Sequence, residues 1–179
     1  RKYRPMRALL LAGGLGTRLG YLTKNWPKCL MPIHKHPLLE FWINILKNQN
    51  IKNAIVNTHY HSDIVIEFLN KPQYKEWITP VYESKLLGTA GTLRENIPFF
   101  KNEKILLVHA DNWCCCDFTD FILYHNNFRP KNTLITMMTF DSSSPETCGI
   151  VELDENGIVV KFHEKIKNPP GTLANGAVY

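Results

Sequence analysis

Apolar runs alternate with segments of helical spacing along the chain. The short apolar runs that predict strands are 7–12, 53–58, 78–82, 105–109 and 133–139. The segments that predict helices are 38–46, 62–69 with Ser62 as a cap, a short helix beginning near 88–91, and 118–126. Strands that alternate with helices in this way are typical of an α/β fold.

The last third of the chain has a different pattern. Residues 149–153 and 158–162 flank an Asp-Glu-Asn-Gly turn and predict a β-hairpin. A Ser-rich link at 141–145 separates a first half, 6–140, from a later half, 146–179. The sequence thus predicts a single domain, 1–179, built from two halves.

A glycine-rich turn directly follows the first predicted strand. Gly13, Gly14 and Gly16 lack side chains where a ligand would approach the backbone, and successive amides in such a turn bind anions. Arg18 and Lys28 add a forked cation and a point cation, which suit a polyphosphate. Without further context, the stretch also reads as an ordinary turn with two solvated cations.

The spacing excludes two common phosphate loops. The dinucleotide pattern G-x-G-x-x-G fails because Leu19 stands three residues after Gly16. The Walker pattern fails because no glycine is followed by Gly-Lys at the required distance.

From about residue 6 onward, the sequence resembles the sugar-1-phosphate nucleotidyltransferases, or nucleotide-sugar pyrophosphorylases. Ala12 to Leu19 match the family pattern A-G-G-x-G-T-R-L, and Lys28 matches the lysine of P-K-P-L, with Cys29 replacing its second proline. Residues 20–23 lack the usual proline. The block E-x-x-x-L-G-T-A-G at 83–91 most resembles the mannose-1-phosphate guanylyltransferases. The residues from Gly149 resemble G-x-V-E-x-D, and Glu164-Lys165 resembles E-K-P with Ile166 replacing the proline. Ala174-Asn175-Gly176 resembles the A-N-x-G strand.

The resemblance implies a Rossmann-like, three-layer α/β/α fold with a mixed, mostly parallel sheet. Met6 looks like the natural start, so that 1–5 would be an extension. In the family, a segment with a second metal-binding aspartate follows the position of Tyr179. We therefore expect this sequence to be truncated at its C-terminus.

The resemblance also implies roles for individual residues. Arg18 and Lys28 would be catalytic, and Asp111 would bind Mg²⁺ after a buried strand, although its position also suits a turn or capping aspartate. The implied nucleotide-binding residues are Leu11, Ala12, Gly13, Gly14, Gly16, Thr17, Glu83, Gly88 and Thr89. The implied sugar-phosphate-binding residues are Asn112, Gly149, Glu164, Lys165 and Asn175.

Glu83 favours GTP as the nucleotide. The resemblance places its block against the nucleobase, and an ionised carboxylate accepts hydrogen bonds only. Guanine offers two adjacent donors, whereas uracil and thymine offer one donor between two acceptors. A backbone contact to the base would override this preference, and a surface glutamate before a helix is the alternative interpretation.

Composition narrows the partners and the location. The net charge of +5 suits anionic substrates, but it is spread along the chain without the basic run of a nucleic-acid binder. No apolar stretch is long enough to span a membrane. Five cysteines, three of them consecutive, do not form a secreted disulfide framework, and they indicate the cytoplasm. A homo-oligomer is left open.

The predicted reaction joins an NTP and a sugar 1-phosphate to give an NDP-sugar and pyrophosphate. The expected setting is nucleotide-sugar and polysaccharide biosynthesis. One alternative is a uridylyl- or cytidylyltransferase for another phosphorylated acceptor, such as an amino sugar, a heptose or choline. Another is a non-catalytic subunit of the same fold that senses nucleotide sugars.

Overall fold

A computed structural model describes residues 5–179, apart from the side chain of Arg18. The expected extension at 1–5, except for its last residue, therefore lies outside the described residues, as does the predicted catalytic guanidinium. The chain forms two compact units that divide between Trp113 and Cys114. The Ser-rich link at 141–145 lies inside the second unit. No described helix has both the length and the apolar character needed to cross a membrane.

The first unit alternates strands and helices, as the hydrophobic pattern predicts. Its described elements are β1 (Met6–Leu11), β2 (Pro32–Ile33), β3 (His36–Pro37), α1 (Leu38–Asn48), β4 (Ala54–Thr58), α2 (Ser62–Leu69), β5 (Ile78–Tyr82), α3 (Gly88–Glu95), α4 (Ile97–Phe100) and β6 (Lys104–His109). Short 3₁₀ helices cover Thr17–Thr23 and Lys28–Leu30.

The core of this unit is a parallel sheet with strand order β5-β4-β1-β6. Leu10 pairs with Val56 on one side and with Val108 on the other, and all three are fully buried. Strands covered on both faces read as continuous apolar runs, which is why the sequence revealed them. Because the strands are parallel, their carboxyl ends meet at one edge of the sheet.

Helix α1 turns one apolar face inward. Leu39, Trp42, Ile43 and Leu46 are fully buried, at the spacing of a single helical face. The indole Nε1 of Trp42 donates to the backbone oxygen of Asn112 at 2.9 Å, which ties α1 to the segment after β6.

The predicted cap of α2 is wrong. His61 occupies the cap position with a left-handed φ of 53°, and no side chain caps the helix. Ser62 is already the first helical residue, so its hydroxyl does not stand where a cap would reach the free amides.

The second unit carries an antiparallel sheet. Its described elements are α5 (Phe118–Asn127), β7 (Thr139–Asp141), β8 (Gly149–Leu153), β9 (Val159–Glu164) and β10 (Leu173–Asn175), with sheet order β7-β10-β8-β9. The predicted hairpin is confirmed as β8 and β9. Asp154 Oδ1 accepts from the amides of Asn156 and Ile158 at 2.9 and 2.8 Å, and Gly157 supplies the left-handed φ of 75°.

The predicted strand over 133–139 is wrong except at its end. Only Thr139 belongs to a strand, because β7 pairs with just three residues of β10. Met138 still forms backbone hydrogen bonds with Gly176 and Val178, at 2.8 and 2.9 Å. Residues 134–137 have no such partner among the described residues, and Leu134 and Ile135 are 89% and 69% exposed. An apolar run does not form a strand without a neighbouring strand to complete its hydrogen bonds.

Candidate active site

Polar and glycine residues collect where the parallel strands end. The glycine loop follows β1, Asn57 lies near the end of β4, Glu83 follows β5, and Asp111 stands two residues after β6. Open α/β sheets bind ligands outside the carboxyl ends of their strands. This edge is therefore the candidate active site of the first unit.

Asn57 holds the start of the glycine loop. Its Oδ1 accepts from the amides of Ala12 and Gly13 at 2.6 and 3.3 Å, and the residue is only 4% exposed. The next two amides, those of Gly14 and Leu15, have no acceptor among the described residues. The loop thus has an anchored inner end and amides that remain able to bind an anion.

Two glycines of the loop leave little room for a side chain. A methyl group on Gly14 would lie 3.1 Å from Asp111 Oδ2. Gly16 has a φ of 64°, and a methyl group there would lie 2.9 Å from Thr23 Cγ2. Thr23 is buried and donates from its hydroxyl to the Gly16 oxygen at 3.0 Å. The loop is therefore packed closely against Asp111 and Thr23.

Lys28 and Asp111 form an ion pair beside this loop. Lys28 Nζ lies 3.1 Å from Asp111 Oδ2, and the two side chains are 19% and 22% exposed. Cys29, the next residue, is fully buried, and burial, with a smaller effect of the Asp111 charge, raises the pKa of its thiol to about 12. Cys29 is thus an apolar anchor for Lys28 and stays protonated at neutral pH.

His109 lies between α3 and this ion pair. Its Nε2 is 3.2 Å from the Thr89 hydroxyl, at the first turn of α3. Burial lowers the pKa of His109; the Asp111 carboxylate opposes this shift, and the Lys28 ammonium adds to it. A neutral imidazole that links Thr89 to the end of β6 follows from this environment.

Glu83 does not face outward as the sequence suggests. It is 5% exposed, its Oε1 accepts from the Thr92 hydroxyl at 2.5 Å, and its Oε2 accepts from the Leu87 amide at 3.2 Å. Both carboxylate oxygens therefore have partners within the first unit. A direct contact between this carboxylate and a nucleobase stays a prediction.

The other predicted residues of the first unit surround the same edge. The Leu11 oxygen accepts from the Ala110 amide at 2.9 Å, where β1 ends. Thr17 is exposed at the start of its 3₁₀ helix, and Gly88 begins α3 with a φ of 73°. Asn112 donates from its amide to the His109 oxygen at 3.1 Å.

The site fits a divalent metal only in part. The described residues contain no group of three or more His, Cys, Asp or Glu side chains that could enclose an ion. Asp111 offers one carboxylate, and the missing side chain at Gly14 leaves its Oδ2 approachable. Mg²⁺ characteristically takes one or two carboxylates together with substrate phosphates. Asp111 therefore suits a metal whose remaining ligands come from a phosphorylated substrate and water.

In the second unit, the sheet brings four predicted residues together. Gly149 pairs with Glu164 across β8 and β9, and the Lys165 amide donates to the Cys148 oxygen at 3.1 Å. Lys165 Nζ lies 3.2 Å from Glu164 Oε1, with both side chains more than half exposed. Ala174 pairs with Ile150, the residue after Gly149, and Asn175 follows Ala174 in β10. The Nδ2 of Asn175 donates to the Tyr179 hydroxyl at 2.6 Å.

Sequence reasoning missed Asn57, Thr23 and Thr92, all of which are buried and hydrogen-bonded. A signal existed for Asn57, because it is a polar residue near the end of an otherwise apolar strand. Thr23 and Thr92 gave none, because a threonine seven or nine residues from its partner carries no pattern that marks its hydroxyl as buried and hydrogen-bonded.

The fold and this edge together define an α/β protein with a glycine-rich loop at the carboxyl end of its first parallel strand. Residues 7–179 match the family described as "Nucleotidyl transferase". The chain belongs to this nucleotidyl transferase family, as its resemblance predicted.

Two curated relatives match almost the whole length of this chain, at 34% and 27% identity. The chain is 34% identical over 174 residues to D-glycero-alpha-D-manno-heptose 1-phosphate guanylyltransferase of Campylobacter jejuni, a match covering 97% of this chain and 75% of the relative. It is 27% identical over 180 residues to mannose-1-phosphate guanyltransferase of Saccharomyces cerevisiae, covering 97% of this chain and 49% of the relative. The chain thus spans three quarters of one relative and about half of the other.

A solved structure supports the fold. A crystal structure from Bacillus anthracis, described as a glucose-1-phosphate thymidylyltransferase in complex with a sucrose, matches with a TM-score of 0.81 at 23% identity. The match covers 97% of this chain and 70% of that one. At this identity the likeness concerns the fold, and it confirms the expected Rossmann-like α/β class.

Proposed function

We propose that this protein transfers a guanylyl group from GTP to a sugar 1-phosphate, giving a GDP-sugar and pyrophosphate. A phosphate oxygen of the sugar phosphate forms a bond to the α-phosphorus of GTP. The bond from that phosphorus to the bridging oxygen breaks, and pyrophosphate leaves. The observation that carries this proposal is the Lys28–Asp111 pair beside the open amides of Gly14 and Leu15, in a nucleotidyl transferase chain.

The glycine loop holds the triphosphate in this proposal. The backbone amides of Gly14 and Leu15 donate to the β- and γ-phosphates, and Arg18 adds a forked cation there. Lys28 stabilises the charge that develops on the α-phosphate when it becomes five-coordinate. No covalent bond to the chain is required, because positioning and charge stabilisation supply the catalysis.

Asp111 is the residue that would hold Mg²⁺. The ion, when bound, supplies positive charge to the reacting phosphates. Asp111 also orients the Lys28 ammonium, so that the same carboxylate serves both cations.

The acceptor is a sugar 1-phosphate of manno configuration. Support comes from the two curated relatives, whose names specify mannose 1-phosphate and a manno-heptose 1-phosphate. In the second unit, Gly149, Glu164 and Asn175 contact sugar hydroxyls, and Lys165 binds the sugar phosphate. The product would serve as a sugar donor in polysaccharide synthesis.

We place the protein in the cytoplasm. Its five cysteines are free thiols in the described structure, as a reducing compartment would keep them.

The test is a matrix of substrates on the full-length protein. GTP, UTP, CTP and dTTP are each combined with mannose 1-phosphate, D-glycero-D-manno-heptose 1-phosphate and glucose 1-phosphate, and pyrophosphate release is measured. We expect turnover with GTP and one of the two manno-configured acceptors. Turnover confined to UTP, CTP or dTTP would contradict the guanylyl assignment. Binding of a GDP-sugar without turnover of any pair would favour a sensing subunit.

A further inference from the structure

The carboxylate of Glu83 is enclosed by its own chain. Its two oxygens accept from the Thr92 hydroxyl and the Leu87 amide, and Thr92 itself is 0% exposed. A carboxylate removed from water is stable only when such hydrogen bonds replace hydration. The pair therefore constrains the segment between β5 and α3.

The backbone of Glu83 is fixed as well. Its backbone amide donates to the backbone oxygen of Thr58 at 2.8 Å, where β4 ends. His59 Nδ1 donates to the backbone oxygen of Glu83 at 2.7 Å. Main chain and side chain thus hold Glu83 at the edge of the sheet, and the side chain in turn holds Leu87.

The constrained segment borders the glycine loop. A methyl group on Gly13 would lie 3.0 Å from Leu86 Cδ2, so the two loops are in direct contact. Leu86 and Leu87 remain 46% and 36% exposed, and Gly88 follows in the left-handed region. Residues 84–87 therefore present backbone groups and apolar surface directly beside the proposed triphosphate loop.

We propose that Glu83 and Thr92 form a buried positioning pair that fixes residues 84–87 as the wall of the nucleobase pocket. Glu83 acts on the base through the backbone of this segment, and its charge does not read the base edge. This inference rests on the proposed function, because it assumes that a nucleotide occupies the glycine loop.

Four variants separate a positioning role from direct reading. Thr92→Val removes the hydroxyl at constant shape, and Thr92→Ser restores it. Glu83→Gln keeps one acceptor for Leu87 and one donor for Thr92, but it changes the groups available to a base. Glu83→Ala removes both contacts. Thr79→Val and Glu67→Gln, at exposed positions of β5 and α2, are the matched controls.

Two measurements apply to each variant. The first is hydrogen exchange of the Leu87 amide by NMR, which needs no substrate. The second is the kcat and KM for GTP and UTP with the acceptor found active. We expect Thr92→Val to speed Leu87 exchange and to raise the KM for GTP, each by about tenfold, since about 1.4 kcal/mol corresponds to one decade. We expect kcat to change little, Thr92→Ser to recover both values, and Glu83→Gln to keep the preference for GTP.

The outcomes distinguish the two proposals. A reversal of preference toward UTP in Glu83→Gln, by about 100-fold or more, would show direct reading by the carboxylate and overturn the inference. Unchanged Leu87 exchange in Thr92→Val would overturn the positioning pair alone. A wild-type protein that neither binds nor turns over GTP would overturn the proposed function and the nucleotide role of the pair, whatever the exchange shows.

Discussion

Lys28 Nζ and Asp111 Oδ2 lie 3.1 Å apart, although 83 residues separate them in sequence. Asp111 stands just after β6, and Lys28 is held by the buried Cys29 beside it. Each charge thus orients the other next to the glycine loop. Lys28 is a cation suited to a phosphate, and Asp111 is a carboxylate suited to a metal. Because the two are in contact, a substitution of either residue should change the behaviour of the other.

Removing either partner should reduce the transfer rate strongly. We expect Lys28→Ala and Asp111→Asn each to lower kcat by about 100- to 1,000-fold, the usual loss when one preorganised electrostatic stabiliser is removed. Pyrophosphate release at saturating substrates provides the measurement. Lys52→Ala, at an exposed lysine between α1 and β4, is the control and should leave kcat unchanged. Near-normal rates in both site variants, with intact folding by circular dichroism, would exclude the assigned roles.

Because Lys28 and Asp111 form an ion pair, removing the lysine and removing the carboxylate should change metal affinity in opposite directions. Lys28 places a positive charge on the carboxylate oxygen that a divalent ion would use, so Lys28→Met should bind Mn²⁺ more tightly than wild type in the absence of nucleotide. The expected gain is at least about fivefold, from about 1 kcal/mol of removed repulsion near 4 Å in water. Asp111→Asn should weaken binding. Electron paramagnetic resonance of free Mn²⁺ measures both. Equal affinities in all three proteins would mean that Asp111 is not the metal ligand.

Asn57 should matter for the nucleotide although it is buried. Asn57→Ala leaves the amides of Ala12 and Gly13 without their acceptor, which costs about 1–3 kcal/mol of folding free energy. Because the loop loses its anchor, we expect the KM for GTP to rise more than kcat falls. Urea unfolding and steady-state kinetics test the two parts. Asn53→Ala, at an exposed asparagine just before β4, should change neither value.

The sequence predicted the parallel strands well because strands that are buried on both faces consist of continuous apolar residues. It failed where structure depends on pairing with another segment or on a backbone conformation that the residue type does not reveal. The run at 133–139 has the composition of a strand, but β10 offers it only three residues of pairing. Ser62 has the chemistry of a cap, but the left-handed conformation of His61 moves the helix start by one residue.

The same distinction applies to the site. The glycine loop, Lys28 and Asp111 carry their chemistry in local motifs, and the structure brings them together. The burial of Glu83 depends on a hydroxyl nine residues later, on the following helix. A motif can place a glutamate beside a pocket, but only the packing of α3 decides which way its carboxylate points.

Gly149 offers a test of the second unit. A methyl group there would lie 2.5 Å from Phe162 Cζ, which no rigid arrangement accepts. Gly149→Ala should therefore destabilise the hairpin of β8 and β9 by about 1–3 kcal/mol, as overpacking does. Adding Phe162→Leu should recover much of that loss. Gly171→Ala is the matched control, because a methyl group there meets no described atom within 4 Å.

The positions of the tryptophans make it possible to tell which unit the Gly149→Ala substitution destabilises. All four tryptophans, at 26, 42, 77 and 113, lie in the first unit. Tryptophan fluorescence during urea unfolding therefore reports that unit, whereas circular dichroism reports both. If Gly149→Ala shifts only the dichroism transition, the units unfold separately and the clash is confined to the antiparallel sheet. A shift of both transitions would mean that the units unfold together, and no shift in either would show that Phe162 moves aside without cost.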